Sequence, residues 1–165
     1  MTTYQLPKND LLVHQMMLLE KYASPHYPAG TVGGLKEINS VWLTRDVNPW
    51  TGKAIPKFRR DEIKYLNEAA EILNKTVDDI HYAYYAIVPP ESQIYPHVDV
   101  QPYYHTVNRY QIFFNLTEDN IIIQEGNSTT SNSLVWFDVS KLHAFKNTSK
   151  TDSWRFIVFD IYKDQ

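Results

Sequence analysis

The feature that most constrains this chain is the texture of its second half. From residue 79 onward, short runs rich in Tyr, Phe, Ile and Val follow one another closely, each bounded by Pro, Gly, Asn, Asp or Ser. Such residues fit a pleated, half-buried surface. Short runs at this spacing, broken by turn signals, predict a β-sandwich or barrel. The expected strands cover 80–88, 94–100, 108–116, 121–125, 134–137, 142–146 and 154–162, with a polar loop at 126–133. The first half is patterned differently. A helix is predicted from Asn9 to Tyr22, capped by Asn9 or Asp10 and stopped by Ser24-Pro25. Its apolar residues, among them Leu11, Leu12, Met16, Leu18 and Leu19, are spread so evenly that one broad face is expected to be buried. A short strand is expected at 41–44. A second helix, over 60–74, carries Ile63, Leu66, Ala69, Ala70 and Leu73 as one stripe at helical spacing.

Helices placed ahead of a run of short strands imply a mainly β protein. The expected architecture is a double-stranded β-helix, a jelly roll of the cupin type, with two N-terminal helices packed on one of its sheets. At 165 residues the chain is expected to form one domain, with 1–78 as a helical and loop part and 79–165 as the jelly-roll core.

Composition removes several function classes. Net charge is −3 with both signs dispersed, and no basic stripe points to nucleic acid. The absence of Cys excludes disulfides, a thiol nucleophile and Cys-ligated zinc. No apolar run is long enough to span a bilayer, and residues 1–5 lack a basic-then-apolar signal. A cytoplasmic protein with no membrane partner is the resulting expectation.

The chemistry concentrates on three residues. His97 and Asp99 are separated by one residue, so on a strand they share a face. With His143 they would make a two-His-one-carboxylate metal site whose open positions suit non-haem Fe(II). Zinc could use the same ligands in a hydrolase. Of the other histidines, His14 and His81 read as structural, His26 lies in a Pro/Gly loop, and His105 falls in the loop beside Tyr103 and Tyr104. Arg155 heads the row Arg155, Ile157, Phe159, Ile161. A guanidinium there is costly to bury unpaired, so it calls for an anionic ligand or a structural acid such as Asp138 or Asp160. Arg109 and Gln111 share a face with Phe113 and Asn115. A polar alternating row faces either solvent or a wet cavity; in the latter case Arg109 and Gln111 could contact substrate or cosubstrate.

These residues and their order resemble the aspartyl/asparaginyl β-hydroxylase family of Fe(II)/2-oxoglutarate-dependent dioxygenases. The resemblance covers about 82–162. It rests on Ile94-Tyr95-Pro96-His97, Asn108-Arg109-Tyr110-Gln111, Phe137-Asp138-Val139-Ser140-Lys141-Leu142-His143 and Arg155-Phe156-Ile157-Val158-Phe159-Asp160. It implies that His97 and His143 ligate iron, that Arg155 binds the distal carboxylate of 2-oxoglutarate, and that Arg109 faces the cosubstrate and substrate region. Two departures from the family pattern matter. Asp99 stands where the animal aspartyl hydroxylases have a small residue and the related free-proline hydroxylases keep a carboxylate, which points to a complete triad of metal ligands. Ala86 stands where a family Ser helps hold the distal carboxylate, and Tyr84 is the hydroxyl placed to compensate. The implied activity is O2-dependent hydroxylation of an amino-acid side chain, with release of succinate and CO2. The substrate would be an Asp/Asn-like residue in a peptide or protein, or a free amino acid such as proline. Two other readings share the fold: a non-catalytic cupin-like binding module, and a metal-dependent isomerase or hydrolase. Asp138 is the candidate for orienting the metal ligands from behind.

Overall fold

The computed structural model describes residues 2–6, 10–25, 38–44, 64–99, 102–114, 120–129 and 134–164. Eleven strands and two α-helices are found among them. The strands are β1 (Thr2–Tyr4), β2 (Ser24–Pro25), β3 (Asn39–Trp42), β4 (Ile80–Val88), β5 (Ser92–His97), β6 (Val107–Phe114), β7 (Asn120–Gln124), β8 (Asn127–Thr129), β9 (Leu134–Phe137), β10 (His143–Asn147) and β11 (Trp154–Tyr162). The helices are α1 (Asp10–Met17), continued by a 3-10 turn over Leu18–Tyr22, and α2 (Lys64–Ile72). No helix among the described residues is long and apolar enough to cross a membrane.

The strands form two antiparallel sheets. The larger has the order β1-β9-β6-β11-β4-β3-β2 and the smaller β5-β10-β7-β8. This is the jelly roll that the strand pattern implies. From β4 to β11 the chain passes back and forth between the two sheets, except at the β7–β8 hairpin, which stays within the smaller one, and that alternation is what closes the roll.

Side-chain parity assigns the two faces of the large sheet. On β11, Ile157, Phe159 and Ile161 join Ala83 and Tyr85 of β4, Met16 of α1, and Tyr65, Leu66 and Ala69 of α2 in one buried cluster. The opposite set on β11, Trp154, Phe156 and Val158, packs with Phe113, Ile122, Val135 and Phe145 between the sheets. Full burial of each such side chain stabilises the fold by about 1.5–3 kcal/mol. The long central pairing of β11 with β4 and β6 therefore carries core on both faces, which explains its nearly continuous apolar sequence.

Several expectations need adjustment. The first helix is α-helical only to Met17 and continues as a 3-10 turn; Met16 is buried, His14, Met17 and Leu18 are exposed, and the side chains of Leu11 and Leu12 lie outside those described. Residues 60–63 of the second helix lie outside the described residues. β1 was not expected; Thr2-Thr3-Tyr4 has strand chemistry but is too short to stand out, and it is held by pairing with β9. The segment 126–133 is not wholly loop, since β8 returns along β7. The corner between them places Glu125 at φ 50° and Gly126 at φ 82°, two successive positive values of the kind a tight hairpin turn requires.

Candidate metal site

β5 ends at His97, and the chain leads on through Val98 to Asp99. The strand is irregular just before its end. His143 of β10 pairs with His97, but Phe145 pairs with Ile94, so two steps on β10 match three on β5. The extra residue falls at Tyr95-Pro96. Proline has no N–H for a ladder bond, and β5 is an edge strand, where such a bulge is tolerated. A bulge re-aims the side chain beside it. Here it brings His97 against His143, with ring centroids 4.3 Å apart. Asp99 lies beyond the strand, not on it as the spacing predicts. Its N–H donates to the carbonyl of Val139 at 2.9 Å, which holds the acid in the turn before β10.

The three ligand atoms lie within 4.8 Å of one another. Nε2 of His97 is 3.6 Å from Oδ1 of Asp99, and Nε2 of His143 is 3.8 Å from Oδ2. Both imidazoles are oriented the same way. His97 Nδ1 lies 2.8 Å from the carbonyl of Tyr95, and His143 Nδ1 lies 2.8 Å from the carbonyl of Lys141. A carbonyl can only accept, so each Nδ1 carries the proton and each Nε2 presents its lone pair to the common point. This is the tautomer a metal needs. Burial lowers the pKa of His143 below its ordinary value, with the nearby cationic charge of Arg109 acting in the same direction. The ring is therefore kept neutral and ready to bind. Two imidazole nitrogens and one carboxylate converging on one point fit a divalent first-row metal such as Fe(II).

Arg109, Gln111 and Tyr84 lie on strands that flank β11, and Arg109 and Tyr84 meet at one cavity. It has a volume of about 360 Å³ and is bounded by Trp42, Tyr84, Tyr104, Arg109, Val158 and Asp160, among others. Arg109 grips Asp160 with two bonds, from Nε at 2.8 Å and from Nη2 at 2.9 Å, and its guanidinium lies over the ring of Tyr104. Neither bond uses Nη1. Desolvation opposes the charge on Arg109, but the bonds to Asp160 outweigh it and raise the pKa well above its ordinary value. Tyr103 donates to the same carboxylate. Gln111 is buried, and its Oε1 has no hydrogen-bond partner.

Arg155 is not part of this group. It shares the β11 face of Ile157 and Phe159, which is turned toward the N-terminal helices and away from His143. There it forms an ion pair with Glu20, whose carboxylate also accepts from Tyr85 at 2.8 Å. A carboxylate does satisfy this arginine, as the burial argument requires, but it belongs to the 3-10 turn after α1 rather than to a ligand or to Asp138 or Asp160. The inner position at the head of β11 is held by Trp154, which packs with Phe113, Phe145 and Phe156 at ring-centroid distances of 5.4, 5.8 and 5.4 Å. Those rings fill the barrel where an inward Arg155 would have stood.

The residue that sequence reasoning missed is Gln124. It pairs across the sheet with His143, so His97, His143 and Gln124 form one row on β5, β10 and β7. A single glutamine in an Ile-rich strand carries no motif, and only the register reveals it.

No protein-family model and no curated protein matches the chain in sequence. Solved structures match in fold. The viral collagen prolyl hydroxylase of Paramecium Bursaria Chlorella virus-1, solved as a 2OG complex, is 11% identical with a TM-score of 0.62, covering 99% of this chain and 96% of that one. The Trichoplax adhaerens prolyl hydroxylase, solved with a peptide fragment of the hypoxia inducible factor oxygen degradation domain, is 12% identical with a TM-score of 0.57, covering 91% and 76%. A predicted oxalate decarboxylase of Thermotoga maritima is 12% identical with a TM-score of 0.50, covering 87% and 96%. The fold is thus one found both in solved prolyl hydroxylases and in the predicted oxalate decarboxylase.

Proposed function

We propose that the protein is an Fe(II)/2-oxoglutarate-dependent oxygenase that hydroxylates an amino-acid side chain, with residues 1–165 acting as one catalytic domain. The observation that carries this reading is the His97–Asp99–His143 cluster, with both Nδ1 protons fixed on backbone carbonyls and both Nε2 atoms directed at one point. The fold shared with prolyl hydroxylases supports it.

In this reading His97, Asp99 and His143 hold the iron. Arg109, through Nη1, and Tyr84 receive the distal carboxylate of 2-oxoglutarate, and Gln111, two residues along β6 from Arg109, is the further contact in this reading. Arg155 has no part in cosubstrate binding. Bound iron and 2-oxoglutarate supply oxygen activation at an unactivated C–H, with succinate and CO2 as products. The chain does the remaining work. Asp160 holds Arg109 in one orientation. The rings of Trp42, Tyr84 and Tyr104 limit water in the cavity, and the Phe113, Phe145, Trp154, Phe156 group closes the barrel beyond His143. The substrate is an amino-acid side chain, Asp/Asn-like by the resemblance of segments 94–97 and 137–143. A free amino acid such as proline is the other choice, favoured by the carboxylate at Asp99. A peptide or protein carrying that side chain is the preferred partner, in keeping with the peptide in the Trichoplax structure.

One observation favours a second reading, a cupin-like metal-binding module without a cosubstrate. Both described arginines near the barrel already have carboxylate partners, Arg109 with Asp160 and Arg155 with Glu20. Anaerobic titration of the Fe(II)-loaded protein with 2-oxoglutarate separates the two. The oxygenase gives a visible metal-to-ligand charge-transfer band that is lost in His97→Ala and needs more 2-oxoglutarate in Arg109→Ala. No band at saturating iron and cosubstrate leaves the binding module.

A further inference from the structure

We infer that Gln124 is a positioning residue of the metal site, and that its amide oxygen is reserved for a hydrogen-bond donor of the ligand bound there. The inference rests on the metal site proposed above, and it is carried by three observations.

First, register places Gln124 beside His143. The two are direct partners on β7 and β10, so their side chains share the inner face. Neighbouring strands lie about 4.8 Å apart, which puts the amide within reach of anything bound at His143 Nε2.

Second, Gln124 is tied to the turn that orients the ligands. Its Nε2 donates to the carbonyl of Asp138 at 3.3 Å. The turn that follows presents the Val139 carbonyl to the Asp99 N–H and the Lys141 carbonyl to His143 Nδ1. The turn is braced from inside, since Oδ1 of Asp138 accepts from the N–H and hydroxyl of Ser140, and Lys141 N–H returns to the Asp138 carbonyl. From the residue just after β7, Glu125 N–H donates to the Leu142 carbonyl. One end of β7 thus grips both ends of the segment that sets Asp99 and His143.

Third, the other half of the same amide is unused. Gln124 is 6% exposed, and its Oε1 is buried with no hydrogen-bond partner. An unpaired buried acceptor destabilises a fold. Its placement beside His143, one strand from that metal-ligand candidate, accounts for its retention: a bound ligand with an N–H or O–H donor would satisfy it. An amide-bearing or hydroxyl-bearing ligand fits this acceptor, whereas a group that only accepts, such as a bare carboxylate, does not.

The test uses Co(II) as the probe, read by its visible d–d spectrum and by its dissociation constant, together with thermal melting of the metal-free protein. Gln124→Met keeps the shape and removes both polar functions. It is expected to weaken Co(II) binding by about 10–100-fold and to alter the d–d spectrum. The melting temperature of the metal-free protein is expected to hold or rise, because an unsatisfied polar group is lost. A residue that merely supports the core would lower melting temperature and affinity together. Should the Met variant fail to fold, Gln124→Asn, which keeps the amide but cannot reach Asp138, is expected to show the same loss of affinity. Unchanged affinity and spectrum in a folded variant would overturn the inference while leaving the metal site intact. Failure of the unmutated protein to bind Co(II) would instead refute the site itself.

Discussion

His97 and His143 are register partners across β5 and β10, and each lies within hydrogen-bond distance, through Nδ1, of the carbonyl two residues before it. The same local device, repeated on two strands from opposite ends of the site, turns both Nε2 atoms inward. Backbone fixes both rings, so neither depends on a neighbouring side chain for its tautomer. His97→Ala or His143→Ala is therefore expected to abolish Fe(II)-dependent turnover of 2-oxoglutarate outright. Succinate release with saturating iron is the measurement, and retention in both variants would show that the site is elsewhere.

Arg155 and Arg109 are separable by experiment because they face opposite sides of the large sheet. Arg155→Ala is expected to lower stability by about 1.5–3 kcal/mol, the worth of hydrogen bonds to a charged group. It should leave the 2-oxoglutarate affinity unchanged. Urea unfolding of Arg155→Ala, Glu20→Ala and the double variant should show strong non-additivity, since the two share one contact. Additive losses would mean that the pair is not formed in solution.

Asp160 is 1% exposed and compensates a guanidinium that is itself largely buried. Asp160→Asn leaves Arg109 with an unmatched charge, and a loss of about 3–5 kcal/mol is expected in chemical unfolding. A loss below 1 kcal/mol would show that water reaches Arg109 freely, and the cavity would have to be more open than its ring walls imply.

Two tyrosines should resist alkali. Burial, reinforced by Glu20 for Tyr85 and by Asp160 for Tyr103, raises both hydroxyls well above their ordinary pKa of 10.0. In the unfolded chain they ionise near the ordinary value. Their stabilising contribution is thus complete below about pH 10 and is lost as pH rises beyond it. Absorbance at 295 nm during alkaline titration should show fewer than the chain's twelve tyrosines ionising before cooperative unfolding. Reversible ionisation of all twelve in the folded protein would contradict the burial of these two.

The jelly roll was legible in the sequence because its long strands carry their own signals. The runs at β4, β6, β9 and β11 alternate or are continuously apolar, and their limits fall within a residue or two of expectation. The convergence of His97, Asp99 and His143 was legible from residue type and order, although Asp99 reaches the cluster from beyond β5 and not from the strand face its spacing implied. Arg155 shows where this kind of reading stops. Parity placed it with Ile157 and Phe159, but parity cannot say which face of a strand buried on both sides looks at the site. That choice is made by Trp154, Phe156 and Val158 packing against the second sheet, and by Glu20 waiting on the other side. Gln124 was illegible for a related reason. Its role depends on which residue of β7 lies opposite His143, a property of pairing that no single segment encodes.

The hairpin corner at Glu125-Gly126 touches no ligand, yet it begins at the residue after Gln124, which stands opposite His143. A two-residue corner with both φ values positive locks β7 and β8 in register, and β7 in turn is laid against β10. A strand that slips by one residue exchanges its two faces. Lengthening this corner by a single residue would shift β8 against β7 and exchange the faces of β8, and would disturb the Glu125 N–H that donates to Leu142 beside His143, with all three ligands still in the sequence. Insertions at 125–126 that look harmless on the surface are therefore expected to be felt at the His143 end of β7, although the corner itself holds no ligand.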